Sequence, residues 1–158
     1  MDVILTLVDA GAEVDLETND GCTALIEAAQ HGHVKPIRAL LGLGAEVGHV
    51  DNEGKTALIG AAGNGHANVI EALLEAGAEV DQASNEGETA LIVAALGGHV
   101  DIIRVLVLSG AHPNRADRKG RTPLEAARAN HHEAAALALV QAGAIERYSS
   151  SRSAVSAR

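Results

Sequence analysis

The sequence predicts an all-α solenoid, a row of stacked helix pairs and not a globule around one core. Three observations carry that prediction. A 33-residue pattern recurs, so that Glu86–Arg118 slides back onto Glu53–Asn85 and Asp20–Asn52 and forward onto Lys119. A fixed period of this size marks a stacked array. Landmark residues hold one phase throughout: Thr23, Thr56, Thr89 and Thr122; Gly21, Gly54, Gly87 and Gly120; and the Gly-Ala pairs 11–12, 44–45, 77–78, 110–111 and 143–144. Finally, the chain is 47% hydrophobic yet lacks Phe and Trp, and Tyr148 is its only aromatic. A core of Ala, Leu, Val and Ile suits closely stacked helices.

Taken in order, residues 1–10 align with the second half of a repeat. Ile4, Leu7 and Val8 hold the phases of Ile37, Leu40 and Leu41. The first half of that repeat is missing, so the expectation is a half-repeat cap over 1–19 or a cut from a longer array. Leu5 holds the outward phase of Arg38, Glu71 and Arg104, which fits a truncated or covered end and predicts self-association there.

Full repeats follow at 20–52, 53–85 and 86–118, and a fourth at 119–146. In each, the Thr is placed to cap a helix, its hydroxyl accepting from an amide of the first turn. The short first helix is expected near 24–31, 57–64, 90–97 and 123–130, with apolar positions such as Leu91, Ala94 and Ala95 at helical spacing. Gly32, Gly65 and Gly98 end it by supplying a positive φ. A longer helix is expected near 34–43, 67–76, 100–109 and 133–142, with Val100, Ile103, Leu106 and Val107 inward in the third repeat. Pro36 is tolerated because first-turn amides have no partner within the helix. Gly44, Gly77, Gly110 and Gly143 stop this helix, and a polar stretch crosses to the next repeat. Residues 147–158 are Ser/Arg-rich with no apolar face, which predicts a flexible tail.

These residues resemble ankyrin repeats. The family pattern Gly-x-Thr-Pro-Leu-His-x-Ala-Ala-x-x-Gly-His is matched by the run from Gly54 to His66, and Leu-Leu-x-x-Gly-Ala-x-Val-Asn/Asp by the run from Leu73 to Asp81. The resemblance spans about 3–146 and implies a domain over 1–146. It implies antiparallel helix pairs with β-hairpin-like fingers between them. The departures are specific. Pro survives only at Pro123, with Ala24, Ala57 and Ala90 elsewhere; the family His becomes Ile26, Ile59, Ile92 and Glu125. The three isoleucines predict an apolar ladder between repeats. Thr122 and Glu125 make a capping box. Arg128 takes an inward phase and His131 a turn-glycine position, which predicts that the fourth repeat is a C-terminal cap.

Charge narrows the partner. The net charge is −9, divided as −13 over 1–110 and +4 over 111–158. An acidic body repels nucleic acid and anionic membrane, so neither is expected as a partner. Cys22 is alone, which excludes an internal disulfide and suggests a reducing, intracellular setting. No apolar run has the length of a membrane span.

No cofactor, metal site or catalytic residue is expected. His33, His66, His99 and His132 recur at the repeat period, too far apart to share a metal, and are read as bonding backbone in the turns. His131, His132 and Glu133 are the metal-binding or enzymatic alternative, at a spacing unlike a helical metal motif. Acidic neighbours should raise the Cys22 thiol. A designed array is a further alternative, which Pro36, Cys22, Gly60 and Gly63 speak against.

The reading is therefore a non-enzymatic protein-interaction module, monomeric unless its N-terminal end self-associates. The resemblance places partners on the fingers and the exposed first-helix face. The finger positions are Glu17, Asn19 and Asp20; Asp51, Asn52, Glu53 and Lys55; Asn85, Glu86 and Glu88; and Arg115, Arg118, Lys119 and Arg121. Three acidic fingers followed by a basic one would orient an extended partner that is basic at one end and acidic at the other. The first-helix face offers Gln30 and His31; Gly60, Gly63 and Asn64; and Val93 and Leu96. Two glycines followed by two apolar side chains predict a shallow apolar pocket between repeats 2 and 3.

Overall fold

The computed structural model describes residue 11 and residues 13–145. The leading helix over 1–10 and the tail over 147–158 lie outside the described residues. Eight helices form four pairs among the described residues: α1 (Ala24–Gln30) and α2 (Val34–Gly42), α3 (Ala57–Gly63) and α4 (Ala67–Glu75), α5 (Ala90–Gly97) and α6 (Val100–Leu108), α7 (Pro123–Ala129) and α8 (Glu133–Gln141). First helices pack on first helices, second on second, and each first on its own second.

The threonines start the first helices as expected. Thr23, Thr56, Thr89 and Thr122 are buried, and each hydroxyl accepts the amide three residues on, at 3.2–3.4 Å. Thr122 and Glu125 complete the capping box, with Glu125 accepting the Thr122 amide at 2.8 Å. The turn after each first helix needs a left-handed residue. Gly32, Gly65 and Gly98 supply it, with φ of 74°, 81° and 69°. They are also crowded: a Cβ on Gly98 would sit 2.6 Å from His132 Nδ1. His131 takes the same turn at φ 59°, the one non-glycine with positive φ among the described residues.

The core runs the length of the array. Ile26, Ile59 and Ile92 are buried as an inter-repeat ladder, flanked by Leu25, Leu58, Leu91 and Leu124. In α6 the buried set is Ile102, Ile103 and Leu106, whereas Val100 and Val107 are only half-buried. Ile102 departs from the expected stripe because a second helix faces two neighbours. Its equivalents Val69 and Ala135 are buried too. The burial of such a wide arc is what a solenoid adds to simple amphipathicity.

The fingers are tight turns, with no strand among the described residues and a single antiparallel bridge, Val50–Thr56. Each closes on two backbone bonds: Thr18, Asp51, Ser84 and Asp117 donate their amides to the carbonyls of Cys22, Lys55, Glu88 and Arg121 at 2.9–3.0 Å, and their own carbonyls accept the amides of Gly21, Gly54, Gly87 and Gly120 at 2.8–2.9 Å. No helix among the described residues is long and apolar enough to cross a membrane.

Candidate interaction surface

The base of each finger is braced by a side-chain oxygen. Asp51 accepts the amides of Glu53 and Lys55 at 2.9 Å each. Asp117 accepts those of Lys119 and Arg121 at 2.9 and 2.8 Å. Ser84 and Thr18 each accept the amide four residues on, at 3.2 Å. Asp51 thus braces its own turn through one carboxylate oxygen. Asp117 and Ser84 were overlooked among the finger residues, although an oxygen-bearing side chain recurs at that phase in all four fingers.

Neighbouring fingers are bonded to one another. The amides of Asn52, Asn85 and Arg118 donate to the carbonyls of Asp20, Glu53 and Glu86 at 2.9–3.0 Å. The side-chain amide of Asn52 donates to Asn19 O and that of Asn85 to Asn52 O, each at 3.0 Å. Asn19, Asn52 and Asn85 therefore hold the finger row together.

The reversal of charge is largely internal. Arg121 bridges Asp117 and Glu88 at 3.0 Å each, and Lys119 approaches Glu86 at 3.8 Å. Lys55 pairs with Glu53 at 2.5 Å within the second finger, and Glu17 stands 3.3 Å from His49. Arg115 and Arg118 are exposed and make no ion pair among the described residues. These bonds shift the ionisable groups in matching directions. The Lys55 bond lowers the Glu53 carboxyl, and the same bond raises the Lys55 amine. Burial pushes the Asp117 carboxyl up, but the bonds from the Arg121 amide and guanidinium and the Lys119 amide outweigh it and hold it below its ordinary value. Cys22, half-buried, is raised by burial first and then by Asp51, Glu27, Asp20 and Glu53.

Two clefts open along this edge. One of about 450 Å³ lies between the second and third fingers, walled by Asn52, Glu53 and Lys55 on one side and Ser84, Asn85, Glu86 and Glu88 on the other. A larger one, about 530 Å³, is lined by Glu79, Asp81, His112, Pro113, Asn114 and Arg115. There Asp81 holds the His112 amide and pairs with its ring.

On the first-helix face, Gln30 lies over Gly60, where a Cβ would come within 2.8 Å of its Cγ. Val93 stands 3.7 Å from where a Cβ on Gly63 would be. Gln30 and Val93 thus occupy the space that the glycines open, and Val93 and Leu96 are half-buried. Asn64 donates to Gly60 O at 3.1 Å, and His31 stacks on His33 at 6.0 Å.

The phased histidines bond backbone, but across repeats. His66, His99 and His132 direct Nε2 to the carbonyls of Gln30, Gly63 and Leu96 at 3.0, 3.2 and 3.0 Å. Each imidazole ties a second helix to the end of the preceding first helix. His132 is committed in this way, apart from His131 and Glu133. Among the described residues no group of three His, Cys, Asp or Glu side chains is placed to hold a metal ion.

A family model described as ankyrin repeats (3 copies) matches residues 1–84 and 78–147. A search of curated proteins found no match.

Proposed function

The chain belongs to the ankyrin-repeat family, whose repeats generally serve protein–protein interaction, and on that premise we propose that it binds an extended protein segment along its finger row and first-helix shelf. The observation that carries this is the row itself. Four fingers are bonded to one another through backbone and asparagine amides, which makes a rigid edge with a cleft between its second and third teeth. Rigid edges bind without the cost of ordering a loop.

The side chains left for a partner are fewer than the finger charges suggest. Glu17 and Asp20 keep the first finger acidic and Asp51 the second, where Glu53 is paired with Lys55, while Glu86 and Glu88 are offset by Lys119 and Arg121. Arg115 and Arg118 carry the opposite sign at the far end. The proposed partner is basic where it meets the first two fingers and acidic near Arg118, with an apolar side chain set against Val93 and Leu96. Proteins captured on the immobilised chain, re-measured one by one by titration, test this. Affinity should fall as salt rises, and Arg115→Glu with Arg118→Glu should weaken it by roughly tenfold. Binding that ignores both salt and these reversals would count against the finger row, and binding unmoved by Val93→Glu would remove the shelf.

A further inference from the structure

On the second helices, outward positions in the first two repeats are charged and paired. Arg38 of α2 reaches Glu75 of α4 at 3.6 Å. Two periods later the same positions hold Arg104 of α6 and Gln141 of α8. Gln141 brings no carboxylate, and Arg104 makes no ion pair among the described residues. The phase of Glu75 becomes Leu108 one repeat on. Leu108 is 87% exposed, more than any other large apolar side chain among the described residues. Beside it α6 and α8 leave an open groove of about 250 Å³. Ile103, Arg104, Val107 and Leu108 itself line one side, and Ala138, Gln141 and Ala142 the other.

We propose that this face of α6 and α8 docks a second copy of the chain, with Leu108 of each copy seated in the groove of the other. A two-fold interface uses one patch twice, so that patch must carry both a knob and a hole. Leu108 and the groove are adjacent and supply them, and the groove has room for a leucine side chain. The second copy can also supply the charge that Gln141 omits, because Glu71 on α4 and Asp101 on α6 are exposed on the second helices and make no ion pair among the described residues. Leu137 on α8, 60% exposed, widens the apolar surface. The surface is separate from the fingers, so both kinds of binding can be measured independently. It also differs from association through the N-terminal end.

Sedimentation velocity of the full chain over a concentration series tests the proposal. The wild type should show a monomer–dimer equilibrium. Leu108→Glu restores the residue found one period earlier and should weaken the dimer about tenfold or more. Gln141→Glu gives Arg104 a partner within its own chain, as Glu75 gives Arg38, and should weaken it too. Leu16→Glu and Ile145→Glu alter other exposed apolar positions and should leave it unchanged. Circular dichroism checks that each variant keeps its helices. A wild type that stays monomeric throughout overturns the proposal. So does a dimer that survives Leu108→Glu or Gln141→Glu, or one that Leu16→Glu or Ile145→Glu abolishes.

Discussion

Asp117→Asn removes one charge from the base of the fourth finger and changes its volume little. The native carboxylate takes the Lys119 and Arg121 amides at 2.9 and 2.8 Å and the Arg121 Nε at 3.0 Å. Its side chain is only 2% exposed, so water does not replace lost partners. Asparagine can still accept from the amides at one oxygen, but it loses the ion pair and turns an NH₂ toward a guanidinium. Hydrogen bonds to charged groups contribute about 1.5–3 kcal/mol and neutral ones about 1. The guanidinium is itself part-exposed, which places its share at the low end. A loss of about 2 kcal/mol at neutral pH follows. Its pH dependence has a definite sign. The folded Asp117 pKa lies below the unfolded value. Its stabilisation is therefore complete above the unfolded value of about 4 and is lost as pH falls through the lower, folded value. Urea midpoints of the two chains, taken at a series of pH values, should differ by a constant amount from neutral to about pH 5, begin to converge below about pH 4 and meet only below the folded Asp117 value. Asp51→Asn weakens the same amide brace with no guanidinium involved and should cost about half as much. A gap that persists undiminished into acid, or no gap at neutral pH, refutes the reasoning.

The turn residues give a pair of opposite predictions. Gly98→Ala forces a Cβ to within 2.6 Å of the His132 ring at φ 69° and should cost about 2–3 kcal/mol through backbone strain and the displaced Leu96 bond. His131→Gly relieves a side chain at φ 59° and should add about 1 kcal/mol. Thermal melts of both decide the matter, and a His131→Gly variant no more stable than wild type would show that strain is absent. Leu73→Ala empties a fully buried site in α4, in the middle of the array, at a cost of about 2–5 kcal/mol. Because each repeat contacts only its neighbours, amide exchange in α1 and α7 should then respond to urea at separate midpoints. A single shared midpoint would sink that expectation.

Much of the backbone was legible in the residues because every signal is written four times. The helix limits expected from the threonines and glycines agree with the observed ones to one residue at the C-terminal ends, as in Ala24–Gln30 and Val34–Gly42. The Thr122–Glu125 capping box needed only local spacing. Burial was harder where it depends on the neighbour. Ile102 is buried outside the stripe expected for its own helix, and no pattern internal to one helix announces that. The histidines show the same limit. Their bond to backbone followed from their recurrence, but not that the carbonyl belongs to the preceding repeat.

The interaction surface was the least legible part, for one physical reason. Stacking sets residues that are 33 apart side by side, at bonding distance. Asn52 over Asn19, Asn85 over Asn52 and Arg121 against Glu88 are all pairs at that offset. A finger read alone shows its charges as free, whereas its neighbour consumes them. The period that reveals the fold therefore also indicates which polar residues to withhold from a partner. Residues whose counterpart one period away is complementary belong to the scaffold. Arg118 follows Asn85 at that offset and continues the backbone ladder, but it has no side-chain amide to match the asparagines, and its side chain makes no ion pair among the described residues. Arg104 likewise stands one period from a carboxylate, Glu71, yet opposite Gln141 instead of a second acid. Both are cations at points where an internal pattern stops, one on the finger edge and one on the second helices. A charge left over by a repeating ladder is available to an outside carboxylate with no internal bond to break, which is why the reversals at Arg118 and the closure at Gln141 should separate the two surfaces cleanly.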